Sequence, residues 1–326
     1  MSQLRKIAIF GVCAKDDPTV GSGHIANEST TQATGNIGRV ILGKLNMAKR
    51  FDVRVISRKG SPAGLELGED VVFVDYQSQA SLVEAIRGYH VVINALSVTA
   101  VREHHAILDA VLEAQVPRFF PATYGAPPPA AGRAISLLRD IPFMDTRRQI
   151  QHRVESAVIE GKVTYTTLRG GAWLETVLPL PVMFSLPQRK FFMHGYPDTE
   201  FSYGSRDLYA EALIKTLEMP EEETANRNFE VELFRVSQRR MLKLIQETFP
   251  TLEWEVVPAD CEERYTKALK AMRSGKMDTA QHGALMSKIC LDPDAAPLPA
   301  RNDNDLLGVR RVTDEEVKQM LLQLQS

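Results

Sequence analysis

Three cysteines in 326 residues, Cys13, Cys261 and Cys290, are too few and too far apart for a disulfide framework, and their odd number fits a reduced intracellular setting. Seven histidines are scattered along the chain. Only His104 and His105 adjoin, and neighbouring helical positions do not share a face, so that pair reads as surface or cofactor-edge and no metal is expected. A formal charge of −2 provides no basic face for a nucleic-acid backbone. No run of about eighteen apolar residues occurs, so no membrane span is expected. Residues 1–6 lead straight into an apolar run, which leaves no room for a signal peptide, and the expected location is the cytoplasm. Internal repeats and low-complexity tracts are absent.

With 44% hydrophobic and 25% charged residues, the chain has an ordinary globular composition, and its length suits one large or two modest domains. The most informative stretch is interrupted. Residues 5–11 (RKIAIFG) form a β-branched apolar run ending in Gly11, and residues 33–42 (ATGNIGRVIL) open a helix. Joined, they read as a strand, a glycine turn and a helix. In such a dinucleotide-binding turn, Gly11 allows the sharp exit from the strand. Thr34, Gly35, Asn36 and Ile37 form the turn and the start of the helix. Gly35 lets the backbone approach a pyrophosphate, and Gly38 lets the helix pack on the sheet, with the anion on the helix N-terminus.

Residues 12–32, between the two halves, are polar, rich in Gly, Ser and Thr, and aperiodic, and they exceed the usual βα loop of roughly two to six residues. They read either as a surface excursion, such as a flap over a cofactor, or as an unspliced intron translated in frame. Every valine codon starts with the GT of a donor site, residues 25–27 can encode a CTAAC branch sequence, and Gln32 can be encoded by the CAG of an acceptor. Excision restores the glycine turn.

Further along, the pattern predicts a helix over 37–49 and a strand over 52–57. The strand ends at Arg58 and Lys59, where an acidic residue would bind a ribose 2′-hydroxyl. Two cations there favour a 2′-phosphate, hence NADP over NAD. Strands are expected at 71–76, 90–97 and 118–125, with helices at 78–88 and 101–114 between them. This alternation predicts an α/β fold with a doubly wound, Rossmann-type parallel sheet. Ligands of such sheets bind at the carboxyl ends of strands, which places Asp75, Leu96, Ser97, Ala122 and Thr123 on the cofactor side, with Thr123 and Tyr124 beside a nicotinamide.

The turn ATGNIG, the pair Arg58-Lys59, the strand HVVINALS at 90–97, the run VPRFFPATYG at 116–125 and VTYTTLR at 163–169 together resemble the NmrA-like and isoflavone-reductase-like branch of the atypical short-chain dehydrogenases. The likeness is close over the first half and weaker beyond, where residues 201–214 with Asp207 resemble the segment returning to the sheet. The resemblance implies an NADP(H)-binding Rossmann domain over residues 1–169, carrying the insertion 12–32, and a smaller substrate lobe over 170–326. In enzyme members it implies NADPH-dependent reduction of small aromatic or polyketide-like metabolites, a reaction of secondary metabolism. Other members bind NADP without turnover and act on a protein partner.

The family's catalytic lysine falls at Gln151, on a helix expected over 144–159, and Arg147 falls where ordinary short-chain dehydrogenases carry their tyrosine. Neither titrates near neutral pH. Tyr124 is the better-placed proton donor. His152 can titrate but lies about 100° around the helix from Gln151. Trp173 follows the sixth strand, where the family places substrate-facing residues. The apolar, proline-broken run 178–184 suits a pocket lining, a lid or plain core. In the second half a hairpin is expected over 188–201 and a helix over 206–217. A strand at 228–236 leads to a serine-capped helix over 237–249. Another strand at 252–257, an exposed helical stretch over 266–290 and a last helix capped by Thr313 and Glu316 complete the chain.

Overall fold

The computed structural model describes residues 5–11, 37–61, 71–97, 100–125, 141–276, 278–293, 298 and 301–325. The interrupting stretch 12–32 and the turn residues Thr34, Gly35 and Asn36 lie outside them, as does Cys13. In chain order, the first half builds strands β1 (Arg5–Phe10), β2 (Phe51–Arg58), β3 (Val71–Val74), β4 (Val91–Asn94), β5 (Arg118–Phe120) and β6 (Thr164–Gly170). Helices α1 (Ile37–Ala48), α2 (Gln79–Ile86), α3 (Val101–Glu113) and α4 (Pro142–Ile159) alternate with them. The second half adds β7 (Ala172–Trp173), α5 (Leu174–Val177), β8 (Phe184–Ser185), β9 (Lys190–His194) and β10 (Glu200–Gly204). It continues through α6 (Arg206–Glu218), α7 (Glu221–Thr224), β11 (Arg227–Val231), β12 (Phe234–Ser237), α8 (Gln238–Thr248) and β13 (Glu255–Ala259). Helices α9 (Cys261–Arg273), α10 (Thr279–Leu291), α11 (Asn304–Leu307) and α12 (Asp314–Leu322) follow.

Seven strands form one sheet in the order β11-β6-β5-β4-β1-β2-β3, and the pairs from β6 through β3 are parallel. Residues 7–10 of β1 and 92–94 of β4 have no solvent exposure, as continuous apolar runs in a parallel sheet covered on both faces require. Helix α1 turns Ile37, Ile41 and Leu45 inward at the spacing of one helical face, and α2 starts at Ser78, whose hydroxyl accepts from the Ser81 N–H. The strand order reverses direction between β1 and β4. In open α/β sheets, dinucleotides bind beyond the carboxyl ends of the strands at that reversal.

Two compact units can be delimited: Met1–Tyr124, Pro142–Arg169 and Tyr209–Phe229 form one, and Gly125–Ile141, Gly170–Leu208 and Glu230–Ser326 the other. The first unit thus takes in α7 and most of α6, which lie beyond residue 169 in the chain. Inside the second unit, β10 pairs antiparallel with β12 and parallel with β7, while β9 pairs antiparallel with β8 and parallel with β13.

Several expectations for the second half are corrected by these pairings. Residues 188–201 are not a hairpin, because β9 and β10 belong to different sheets. The expected strand at 228–236 divides into β11, on the edge of the large sheet, and β12, in a small one. The expected strand at 252–257 is shifted to β13. The stretch 266–290 breaks near Gly275, which has φ +68, into α9 and α10, and α10 is largely buried rather than exposed because Gly283 packs directly on Pro181. The capping box of Thr313 and Glu316 is formed as expected.

The run 178–184 packs within the second unit, with Leu178, Val182, Met183 and Phe184 buried. Its carbonyls are held from three elements. Arg264 on α9 donates to the Pro181 oxygen at 2.8 Å, while His194 Nε2 and Ser287 Oγ both donate to the Val182 oxygen, at 3.0 and 3.1 Å. Buried with no partner at Nδ1, His194 has its pKa pushed down to about 4, first by burial.

Candidate dinucleotide site

At the reversal point, Gly11 leaves β1 with φ +84, and a Cβ there would lie 2.4 Å from the Ala95 carbonyl carbon and 2.5 Å from the Leu96 nitrogen. The two exits from β1 and β4 therefore touch backbone to backbone, a closeness open only to glycine. The result is a bare main-chain wall at the mouth of the crevice. Ile37 and Gly38, in the first described turn of α1, are buried.

Beyond β1, the neighbouring strand β2 extends further. Since Phe10 pairs with Ile56, Arg58 stands two residues past the level of Phe10. Arg58 and Lys59 are exposed in a turn closed by Gly60 at φ +76 and by the Ser61 N–H donating to the Arg58 oxygen at 3.0 Å. Asp75, at the end of β3, is exposed, and its carboxylate accepts the Gln77 N–H at 2.9 Å, which organises the entry to α2.

The β4 exit carries Leu96 and Ser97, both half-buried. Asn94 Oδ1 accepts the Leu96 N–H at 3.1 Å, leaving its amide nitrogen to face His104 Nδ1 at 3.0 Å. Because the amide nitrogen can only donate, Nδ1 must accept, so the ring proton sits on Nε2, which donates to the Ser97 oxygen at 2.9 Å. Of the two readings of the histidine pair, surface or cofactor-edge, the surface one fails for His104, which is buried, while His105 lies against Arg153 at 2.8 Å. Sequence reasoning missed Asn94; the polar residue closing the buried run VVIN was the available signal.

Burial holds the His104 pKa down to about 4. For both His104 and His194 the unfolded chain binds a proton at a higher pH, near 6.5, than the folded one does. Their contribution is complete above that pH and is lost as the pH falls toward 4, by about 2–3 kcal/mol for each. The difference in thermal midpoint between wild type and His194→Gln is expected to shrink or invert between pH 7 and pH 4.5. A difference constant with pH would show that His194 is not buried neutral.

Ala122 and Thr123, past the end of β5, are buried. With His104, Thr146, Arg147 and Ile150 they enclose a cavity of about 10 Å³, room for about one water. Tyr124 is buried with its hydroxyl lacking any hydrogen-bond partner, and burial raises its pKa above the ordinary phenol value. The phenol thus stays protonated across the working range. Its backbone oxygen accepts from Arg147, whose own pKa burial lowers to about 10.

Gln151 is buried on α4, with Nε2 given to Glu155 at 2.6 Å and Oε1 left without a partner. His152, one position along, is exposed. Trp173 belongs to the second unit, where its indole lies against Gly125 and its N–H is buried without a partner. Among the described residues no cluster of His, Cys, Asp and Glu could hold a metal, and no helix is long and apolar enough to cross a membrane.

Residues 33–178 match the family described as NAD(P)H-binding. The match starts just after the interrupting stretch, although β1 precedes it. An oxidoreductase of Aspergillus flavus, aprR, is 26% identical over 246 residues, covering 75% of this chain and 81% of that protein. Pinoresinol reductase 1 of Arabidopsis thaliana is 27% identical, covering 58% of this chain and 63% of its own length. Among solved structures, AtPrR2 with NADP+ and (+)-pinoresinol superposes with a TM-score of 0.72 at 16% identity, covering 98% of this chain and 100% of that one. An isoflavone reductase gives 0.69 at 18% identity, covering 98% and 99%. Residues 33–178 thus resemble an NAD(P)H-binding domain, and the chain has the fold of the isoflavone- and pinoresinol-reductase structures.

Proposed function

We propose that the protein is an NADP(H)-dependent reductase of a small organic molecule of aromatic or polyketide-like character. The observation that carries this reading is the bare main-chain wall formed by Gly11 against Ala95 and Leu96 at the sheet's reversal point, the place where open α/β sheets bind dinucleotides. Arg58 and Lys59 stand where the adenosine ribose would be read, and their charges suit a 2′-phosphate. The cofactor supplies a hydride when bound. The chain's own residues position it and stabilise the charge left on the acceptor: the Tyr124 hydroxyl, protonated and unpartnered, is the donor, and the Arg147 guanidinium holds the Tyr124 main-chain oxygen.

A second reading is favoured by one observation. Gln151 stands at the position of the family's lysine and gives its amide to Glu155, which suits a protein that binds NADP without turnover and reports to a protein partner.

Calorimetric titration tests the first reading. NADPH is expected to bind at least tenfold tighter than NADH, and the double variant Arg58→Ala, Lys59→Ala to bring the two within about threefold, since charge-assisted hydrogen bonds contribute about 1.5–3 kcal/mol. Equal affinities in the wild type would remove the argument from the two cations. Titrating a chain without residues 12–32 in parallel shows whether that stretch disables the site, since binding only in the shortened form marks it as disabling; sequencing the transcript across it separates a surface excursion from an unspliced intron. Oxidation of NADPH in the presence of aromatic ketones and enones then separates enzyme from sensor.

A further inference from the structure

We propose that Asn94 and His104 form a neutral clamp that holds the Ala95–Leu96 peptide against Gly11, so that dinucleotide affinity depends on this pair; the inference rests on the reading of the crevice as the cofactor site. The bonds run in one direction. The Leu96 N–H donates to Asn94, Asn94 donates to His104, and His104 donates to the Ser97 oxygen. Each link fixes the orientation of the next, and the two ends grip the exit loop at the N–H of the Ala95–Leu96 peptide and at the Ser97 oxygen beyond it. On the far side the Ala95 N–H donates to the Phe10 oxygen at 3.0 Å, which ties the loop to the strand that Gly11 terminates.

The clamp is directional and therefore brittle. If His104 took a proton at Nδ1, two donors would face each other unless the Asn94 amide rotated, and rotation would withdraw the oxygen from the Leu96 N–H. The charged groups that face the ring are Arg147 on α4, and Glu103 together with His105 on its own helix. Burial first, and Arg147 after it, oppose a positive charge on the ring, so it stays neutral at ordinary pH and the wall keeps its shape. Asn94 and His104 are positioning residues: neither is required to touch the cofactor.

The pair can be converted into a pH-dependent one. In Asn94→Asp the carboxylate still accepts the Leu96 N–H, but it cannot donate to Nδ1. One added proton restores the chain wherever it resides, as a carboxyl O–H donating to Nδ1 or as an imidazolium N–H donating to the carboxylate. Without that proton, two lone pairs face each other. The measurement is the NADPH dissociation constant of Asn94→Asp divided by that of the wild type, a ratio that cancels ionisation of the cofactor's own phosphate. It is expected to stay within about threefold at pH 6 and to rise a further tenfold or so by pH 9. A ratio flat with pH, in protein that binds NADPH, overturns the clamp and leaves the cofactor site standing. A wild type that binds no NADPH in full-length or shortened form overturns both.

If Asn94→Asp does not fold, His104→Gln and His104→Phe carry the test. Glutamine keeps one acceptor and one donor and is expected to bind NADPH within about threefold of the wild type. Phenylalanine fills the volume with neither and is expected to bind about tenfold more weakly. Equal affinity for the two variants also overturns the clamp.

Discussion

Gly11→Ala is expected to lower stability by roughly 3 kcal/mol or more and to reduce NADPH affinity by about a hundredfold. Two separate costs combine. The backbone at φ +84 lies in the region that L side chains rarely adopt, which by itself costs about 1–2 kcal/mol. The added carbon would also sit 2.4–2.5 Å from main-chain atoms of Ala95 and Leu96, and those atoms belong to a strand exit held by Phe10, Asn94 and His104. Flexible side chains can swing away from such a contact; this peptide can yield only by separating β1 from β4 at the reversal point.

Gly88→Ala is the matched control. Gly88 has φ +76 and nothing within 4 Å of the added carbon, so only the conformational cost applies, about 1 kcal/mol, with NADPH affinity unchanged. Thermal midpoints and calorimetric titrations of the two variants give the comparison. If Gly11→Ala melts and binds like Gly88→Ala, the close approach has no part in the site.

The nucleotide-binding half was legible in the sequence because a parallel sheet covered on both faces leaves a local signature. Ile7, Ala8, Ile9 and Phe10, and again Val92 and Ile93, are apolar runs with no alternation, and in the fold none of them is exposed. Gly11 and the pair Arg58-Lys59 were legible by position at strand ends. The hairpin expected over 188–201 illustrates where that kind of reading stops. Two short strands separated by a turn look alike whether they pair with each other or with distant partners, and here β9 joins β13 while β10 joins β12. Alternation reports which face is buried, not who the neighbour is.

The burial of His104 was hidden for a related reason. Its partner Asn94 is ten residues away on another element, so nothing local distinguishes it from the solvated His152. The burial of helix α10 was hidden because its polar residues are satisfied partly on their own helix and partly by distant partners, Lys288 by Asp292 and Glu262 and Ser287 by the Gly283 and Val182 oxygens. Lys288 is the sharpest case: by composition a solvated lysine, in the fold a side chain with no exposure.

Removing that lysine is expected to be costly to the second unit. Lys288 donates from Nζ to Asp292, one turn along α10, at 2.5 Å, and to Glu262 on α9, with the Tyr265 ring at 5.9 Å. Burial alone would lower its pKa, but hydrogen bonds and charge from Asp292 and Glu262 more than offset this, so the net displacement is upward. Glu262 is well exposed and loses little when the cation goes, whereas the Asp292 side chain is only 7% exposed and cannot recover its hydration. Breaking a buried pair from one side typically costs about 3–5 kcal/mol, and Lys288→Met belongs in that range, while Asp292→Asn, which removes the charge but keeps an acceptor, should cost less.

The pH dependence follows from the direction of the shift. A lysine whose folded pKa exceeds its unfolded value of about 10.4 contributes fully below that value and loses its contribution only as pH rises through the folded pKa. The gap in stability between wild type and Lys288→Met should therefore be constant from pH 6 to pH 9 and close only at more alkaline pH. The double variant Lys288→Met, Asp292→Leu should recover most of the loss, since an apolar pair of similar volume carries no desolvation cost. Denaturant unfolding of wild type, Lys288→Met, Asp292→Leu and the double variant closes the cycle and gives the coupling energy directly. A coupling near zero would mean that the buried ammonium is held by Glu262 and the packing of its stem rather than by Asp292.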